Sequence, residues 1–309
     1  MPTFLPTTRT YRAGAHTLPG RYYASPDVFA AEREYVFGRR WICVGRASDV
    51  PERGDFLLAD VADESIIVLR DRSGEMRAFY NVCRHRGTRL CEAPRGQFSE
   101  TIQCPYHAWT YRLDGRLIGA PHMAETPGFD MKDYPLHRVA LGQWEGFLFV
   151  NLAAEAEPLE IAFASMIGRL ARYQLAALRT VRRIEYDVEA NWKLILQNYS
   201  ECLHCPTIHP ELSAKLPWNS GANDLVEGPF LGGYMEIKPP NESATMSGRA
   251  CARPLGDLST EDRARAMPRG GIAGEQLPES HRSPQHRMAA SLSEGRHDGG
   301  RWATPEGLQ

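Results

Sequence analysis

Val82-Cys83-Arg84-His85-Arg86-Gly87 and Cys104-Pro105-Tyr106-His107-Ala108-Trp109 decide the reading of this chain. Together they spell C-x-H, a gap of eighteen residues, then C-x-x-H. Each half sits at the tip of stretches with strand character. A [2Fe–2S] cluster of mixed ligation needs two thiolates on one iron and two imidazoles on the other. Each loop supplies one of each. Cys83 and Cys104 would hold one iron, and His85 and His107 the other. Replacing two thiolates by neutral imidazoles removes negative charge, so the reduction potential rises. Gly87 and Pro105 suit tight loops in which backbone N–H groups approach sulfur. Two Cys and two His also suit tetrahedral Zn²⁺. The spacing and the hairpin context favour the cluster. Cys43 and Cys91 fit neither pair and read as small buried apolar residues.

Around these loops the chain reads as a small antiparallel β domain, residues 41–152. Trp41-Ile42-Cys43-Val44 opens it. Residues 56–61 and 65–70 are strands, and Asp71-Arg72-Ser73-Gly74 is a hairpin turn into a strand over 76–82. Short strands follow at 108–113 and 116–118, and residues 144–152 form the last. Upstream, residues 1–40 read as an N-terminal arm and helix: a polar, proline-containing segment on the surface, then a helix beginning at Ser25-Pro26-Asp27. Hydrophobic residues make up 42% and charged residues 24% of 309, an ordinary globular composition. A net charge of -2 gives no electrostatic case for nucleic acid or an anionic membrane. No apolar run reaches spanning length, and the N-terminus does not read as a signal peptide. Seven cysteines clustered with histidines predict metal sites in a reducing, cytoplasmic compartment, not a disulfide framework.

A second constellation lies downstream, in Asn191-Trp192-Lys193-Leu194-Ile195-Leu196-Gln197-Asn198-Tyr199-Ser200-Glu201-Cys202-Leu203-His204-Cys205. Trp192, Ile195, Leu196, Tyr199 and Leu203 recur at helical spacing and predict one core-facing stripe. Asn198, Glu201 and Cys205 fall on another face. Pro206 disfavours helix at Cys205, so the helix is expected to end there. The loop then brings back His209. His204 and His209 can point at one metal, and two His plus one carboxylate is how proteins hold Fe(II) for oxygen chemistry. Taken alone, the pair reads equally well as one core histidine and one loop histidine.

With both motifs in view, the chain resembles the large (alpha) subunit of the Rieske non-haem iron oxygenases, the ring-hydroxylating superfamily, over residues 20–266. In look it is most similar to the branch that demethylates quaternary amines. The resemblance implies an α+β fold: an N-terminal antiparallel β Rieske domain over 41–152, then a helix-grip (START-like) catalytic domain over 153–266. That domain would contain a helix from Pro158 to about Leu178, a strand from Thr180 to Val188 and the helix above. It implies a [2Fe–2S] Rieske cluster and mononuclear Fe(II), with His204 and His209 as iron ligands. Glu201 matches the acidic residue that bridges a Rieske histidine of one subunit to an iron-ligand histidine of the next. A carboxylate accepting N–H from two imidazoles would fix both rings. Asn198, matched by the same motif, stands beside it. The resemblance also implies a homotrimer and a small-molecule substrate consumed with O₂.

The family's third iron ligand is a carboxylate well over a hundred residues past the second histidine. Here the character changes after Ala266. Residues 267–309 are crowded with Gly, Arg, Pro, Ser and His, and their composition predicts a disordered tail and a truncated helix-grip domain. On this reading His281, His286 and His297 are incidental, and Asp257, Asp262 and Asp298 are poor candidates for the missing carboxylate. With no G-x-G-x-x-G opening a helix after a strand, a separate NAD(P)H-dependent flavin/iron–sulfur reductase is expected. The functional expectation is a terminal oxygenase that hydroxylates or N-demethylates a small quaternary amine such as glycine betaine. The alternatives are aromatic-ring hydroxylation and a non-catalytic Rieske remnant.

Overall fold

Ile66-Ile67-Val68-Leu69 is apolar without alternation because the strand that carries it is covered on both faces. The computed structural model describes residues 4–10, 13–224 and 232–249, all within one unit, Met1–Met267. The elements used below are β1 (Phe4–Pro6), α1 (Pro26–Glu32), β2 (Ile42–Arg46), β3 (Asp55–Val61), β4 (Glu64–Arg70), β5 (Met76–Tyr80), β6 (Arg95–Gln97), β7 (Thr101–Gln103), β8 (Thr110–Arg112), β9 (Leu117–Gly119), β10 (Ala140–Trp144), β11 (Phe147–Asn151), α2 (Trp192–Ser200), α3 (Cys205–Ile208), α4 (Pro210–Lys215), β12 (Ala222–Asp224) and β13 (Gly232–Tyr234).

Ile66 and Val68 of β4 join Val50, Leu57, Leu148 and Val150 in one core. Ile67 and Leu69 join Phe79, Ile102, Trp109 and Tyr111 in another. The antiparallel sheet β5-β4-β3-β6 therefore lies between two three-stranded sheets, β10-β11-β2 and β7-β8-β9. Each fully buried aliphatic or aromatic side chain contributes about 1.5–3 kcal/mol, so these two cores hold the domain. β3 and β4 are joined by Ala62 and Asp63, both at positive φ (53° and 72°). That is the backbone a two-residue hairpin needs to match strand twist. At Gly115, φ is 90°, and a Cβ would come within 2.5 Å of the Phe79 ring. This turn aims β8 and β9 at the cysteine loops, and only glycine fits it.

Several expectations are corrected. Residues 144–152 are not a lone strand: β10 and β11 form a hairpin turned at Glu145 (φ 49°) and Gly146 (φ 80°). The N-terminal arm is not merely laid on the surface, because β1 pairs with β12, which pairs with β13. The helix expected from Pro158 to Leu178 is one turn, Leu159–Ala162, followed by two short 3-10 turns. Gly168 (φ 80°) and Gln174 (φ 49°) are left-handed and break it. The strand expected over 180–188 has no ladder partner among the described residues. Val181 is 97% exposed there. Residues 225–231 and 250–309, which contain the family-like 255–266 and the tail 267–309, lie outside the described residues.

α2 is positioned from the N-terminal segment. Asn191 caps it by accepting from the Lys193 amide at 3.1 Å and donates to the Tyr23 carbonyl at 3.1 Å. Tyr23 Oη donates to Gln197 Oε1 at 3.0 Å. Glu32, at the end of α1, accepts from Trp192 Nε1 at 2.8 Å and pairs with Lys193. Trp192 stands edge-on to Phe37, ring centroids 5.3 Å apart. Burial pushes the Glu32 carboxyl up, but the hydrogen bonds from Lys193 and Trp192 outweigh it and hold the group below its ordinary value. A depressed carboxylate stabilises the fold above its unfolded value, near pH 4.3, and that contribution is lost as pH falls through the folded value. Glu32→Gln is expected to cost about 1.5–3 kcal/mol at pH 7. Urea melts of both proteins should converge as pH falls below about 4; a gap that persists there would mean the ionised carboxylate is not the source of the difference.

Candidate metal centres

The two cysteine loops have the same backbone. The Cys83 amide donates to the Thr88 carbonyl at 2.8 Å, and the Cys104 amide to the Trp109 carbonyl at 2.8 Å, five residues on in each case. The Gly87 amide returns to the Cys83 carbonyl at 3.0 Å, and the Ala108 amide to the Cys104 carbonyl at 3.1 Å. Gly87 (φ 73°) and Ala108 (φ 56°) are the left-handed residues that close the two turns. Both thiols are buried, each cysteine 3% exposed. Burial pushes the Cys83 thiol above its ordinary value, and Cys104 pushes it the same way. The His85 and His107 rings lie 4.8 Å apart, centroid to centroid. His85 stacks on Trp109 at 4.9 Å and 9°, which fixes its plane. Burial, then His107 and Arg86, push His85 below its ordinary value, so the ring is held neutral, as a ligand must be.

The donor set fits a binuclear cluster. His85 Nδ1 is buried with no hydrogen-bond partner, and a bound metal would satisfy it. The four side chains stand as a thiol pair and an imidazole pair. Among the described residues no group of three or more His, Cys, Asp or Glu is placed to hold a single metal ion. One residue was missed by sequence reasoning. Tyr111, fully buried on β8, has its Oη 3.3 Å from Cys83 Sγ and accepts from the Arg84 amide at 3.1 Å. Arg84 in turn reaches His137 Nε2 at 2.8 Å. The signal available was only that Tyr111 alternates with the outward Thr110 and Arg112 on a short strand. Cys91 is partly buried and Cys43 is exposed, which corrects the reading of Cys43 as core. Cys43 lies on β2 at a sheet edge, where its face is open to solvent.

The second constellation is arranged differently from expectation. α2 stops at Ser200, and Glu201 is already extended (φ -134°, ψ 160°). Cys205 starts α3, with Pro206 at its first turn, where a proline needs no amide donor. Cys205 therefore shares no helix face with Asn198 and Glu201. Ile195, Leu196, Tyr199 and Leu203 are exposed, so the predicted stripe packs only through Trp192. Asn198 is exposed and has no side-chain partner among the described residues. The structure also places Cys202 and Cys205 in a disulfide, Cα atoms 5.0 Å apart. A one-turn C-x-x-C spacing brings them within bridging range, so one local disulfide stands where the cysteines were expected to serve metal sites and no disulfide framework.

The histidines do come together. The His204 and His209 rings lie 5.4 Å apart at 76°. His204 Nδ1 is 2.7 Å from Glu201 Oε1, and Nε2, across the ring, is 3.9 Å from Cys205 Sγ. The Leu203 amide donates to Glu201 Oε2. Burial pushes the Glu201 carboxyl up, but the hydrogen bonds from His204 and Leu203 outweigh it and hold it below its ordinary value. Both Glu201 carboxylate oxygens are thus engaged, one by His204 Nδ1 and one by the Leu203 amide. Two imidazoles fit part of an Fe(II) site, and no third ligand stands beside them among the described residues. An open cleft of about 1110 Å³ lies elsewhere, lined by Arg33, Tyr35, Arg39, Asp63, Tyr80 and Glu157, and contains none of these groups. No helix among the described residues is long and apolar enough to cross a membrane.

Both constellations lie within segments that match known domain families. The Rieske [2Fe-2S] domain profile matches residues 40–135, and the ring hydroxylating alpha subunit (catalytic domain) profile matches residues 175–288. The glycine betaine monooxygenase oxygenase subunit of Chromohalobacter salexigens is 41% identical over 202 residues, 65% of this chain and 45% of that protein. The crystal structure of the quaternary ammonium Rieske monooxygenase CntA with L-carnitine superposes with a TM-score of 0.62 at 32% identity, covering 67% of this chain and 61% of that one. Naphthalene 1,2-dioxygenase from a Rhodococcus species gives a TM-score of 0.63 at 29% identity, covering 72% and 54%. The chain spans about half the length of the curated relatives it matches.

Proposed function

This chain belongs to the Rieske oxygenase alpha-subunit family, and we propose that it is the terminal oxygenase of a system that N-demethylates a small quaternary amine such as glycine betaine. The family's two cofactors are a [2Fe–2S] cluster and mononuclear iron. We assign the cluster to Cys83, His85, Cys104 and His107, and the iron to His204 and His209. The observation that carries this is the double pairing: buried thiols beside facing imidazoles, and a second imidazole pair oriented by a carboxylate. When bound, these groups supply one-electron storage and O₂ activation, so that an N-methyl can be hydroxylated and leave as formaldehyde.

The chain's own residues do the positioning. Trp109 holds the plane of His85, and Tyr111 places a hydroxyl on Cys83. Glu201 fixes His204 with the proton on Nδ1, so that Nε2, 3.9 Å from Cys205 Sγ, is the nitrogen that would take the metal. In our reading its carboxylate also reaches a Rieske histidine of a second subunit in a homotrimer, with Asn198 beside it. The electrons come from a separate NAD(P)H-dependent flavin/iron–sulfur reductase. The likeness to glycine betaine monooxygenase supports the amine. The likeness to naphthalene 1,2-dioxygenase supports the rival, aromatic-ring hydroxylation.

The test is purified protein with a competent reductase, NADH, O₂ and a panel of methylated amines and aromatic acids. Formaldehyde formed in step with O₂ uptake from a quaternary amine is the expected result. A dihydrodiol from an aromatic acid would move the chain to the other branch. No product, with about two iron atoms bound in place of about three, would mark a non-catalytic Rieske protein. The Tyr111 contact gives a separate prediction. A hydroxyl donated to a ligand sulfur stabilises the reduced, more negative cluster. Tyr111→Phe should lower the reduction potential by about 30–60 mV, one modest hydrogen bond on a one-electron couple. Protein-film voltammetry showing no shift at full cluster content would mean the hydroxyl serves only the Arg84 amide.

A further inference from the structure

Two cysteines bracket His204, and the established motifs give neither a role. Cys202 and Cys205 are disulfide-bonded with Cα atoms 5.0 Å apart, whereas Cys43, Cys83, Cys91 and Cys104 are free. The bond closes a small ring around Leu203 and His204. The anchors of both metal-facing histidines run through that ring. The Cys205 amide donates to the Cys202 carbonyl at 3.1 Å, the Ile208 amide to the His204 carbonyl at 2.9 Å, and the His209 amide to the Cys205 carbonyl at 2.8 Å. The Leu203 amide, inside the ring, holds Glu201, which holds His204 Nδ1 at 2.7 Å. Cys202 is partly exposed, and Cys205 is 2% exposed. One sulfur can be reached from solvent while the other waits behind it, the arrangement of a dithiol that closes on itself.

We propose that Cys202 and Cys205 form a reversible dithiol–disulfide modification site whose oxidation locks the turn presenting His204 to Glu201. Its consequence for metal rests on the reading of His204 and His209 as iron ligands; the modification itself does not. The oxidant is a low-molecular-weight disulfide. The Cys202 thiolate attacks one of its sulfurs and expels a thiolate. The Cys205 thiolate then attacks the Cys202 sulfur of the mixed disulfide and expels the second thiolate. In sum, two cysteine thiols lose two electrons and two protons, and the small disulfide gains them as two thiols. A small dithiol reverses both steps. Opening the ring frees residues 202–205 without touching the cluster loops.

The test uses the full chain equilibrated anaerobically in glutathione buffers of graded oxidised-to-reduced ratio. Differential alkylation with peptide mapping reads the thiols, and amide hydrogen exchange reads residues 203–209. Alkylation of Cys202 and Cys205 should fall together as the ratio rises. Exchange at those amides should slow by about tenfold on oxidation, the scale expected for closing a short loop. In Cys202→Ser, exchange should not depend on the buffer. Alkylation that never changes, or an exchange pattern indifferent to it, would overturn the proposal. Co(II) added alone separates the two readings. Faster amide exchange on reduction with no Co(II) bound in either state would sustain this proposal and count against the iron site. Co(II) bound equally in both states with unchanged amides would do the reverse.

Discussion

Cys104→Ser is expected to remove the cluster outright, taking iron from about two atoms in the Rieske domain to none and abolishing the mixed-ligand electron paramagnetic signal. A cluster iron takes thiolate, and a serine hydroxyl does not ionise to replace it. The fold should survive. Cys104 is held by its own amide to the Trp109 carbonyl at 2.8 Å, and that bond is indifferent to the side chain. The swap also removes little apolar volume. His107→Cys tests the other iron in the opposite sense. It keeps a ligand and adds negative charge, so the cluster should form with a potential lower by roughly 200 mV or more, toward the all-thiolate class. Wild-type protein that carries zinc and no acid-labile sulfide would overturn the assignment of all four residues.

What the sequence made legible was local. That His85 meets His107 beside the buried Cys83 and Cys104 was legible because residue type and spacing lie within two turns, each closed by one left-handed residue. Strands β3, β4 and β5 were legible for a similar reason, since their apolar runs and turn residues sit side by side. What failed was nonlocal or two-valued. The bond from Tyr111 to Cys83 depends on β8 crossing under the first loop, set by pairing of Ile102 with Tyr111 and not by any motif. Pro206 marks a helix boundary, but proline begins a helix as readily as it ends one, so α2 ends at Ser200, five residues before the expected end at Cys205. The apolar stripe of α2 was correctly periodic, yet periodicity says only that a face is apolar, not what covers it. Residues 158–178 had helical composition, and the interruption came from Gly168 and Gln174, whose backbone angles no composition shows.

Glu201→Gln is expected to slow oxidation of the reduced cluster, in the presence of O₂ and substrate, by about 10- to 100-fold while leaving the cluster and iron in place. The reason is donor count. In the structure one carboxylate oxygen accepts from His204 Nδ1 and the other from the Leu203 amide, so both oxygens face donors. Glutamine offers one oxygen and one NH₂. Whichever way the amide turns, an N–H meets an N–H, and either His204 or the Leu203 amide loses its acceptor. Losing a hydrogen bond to a charged group costs about 1.5–3 kcal/mol, enough to let the imidazole turn from its working plane. The anion is lost as well, and with it the attraction that a second imidazole from a neighbouring subunit would feel. Glu201→Asp keeps charge but shortens reach by one methylene, so it should fall between wild type and glutamine. His204→Ala marks the lower limit, because with one imidazole gone neither mononuclear iron nor product should remain. Stopped-flow absorbance of the cluster during a single turnover, on protein assayed for iron beforehand, separates these cases. Wild-type rates of reoxidation in Glu201→Gln would leave Glu201 as a carboxylate that shapes its own turn and carries nothing between the centres.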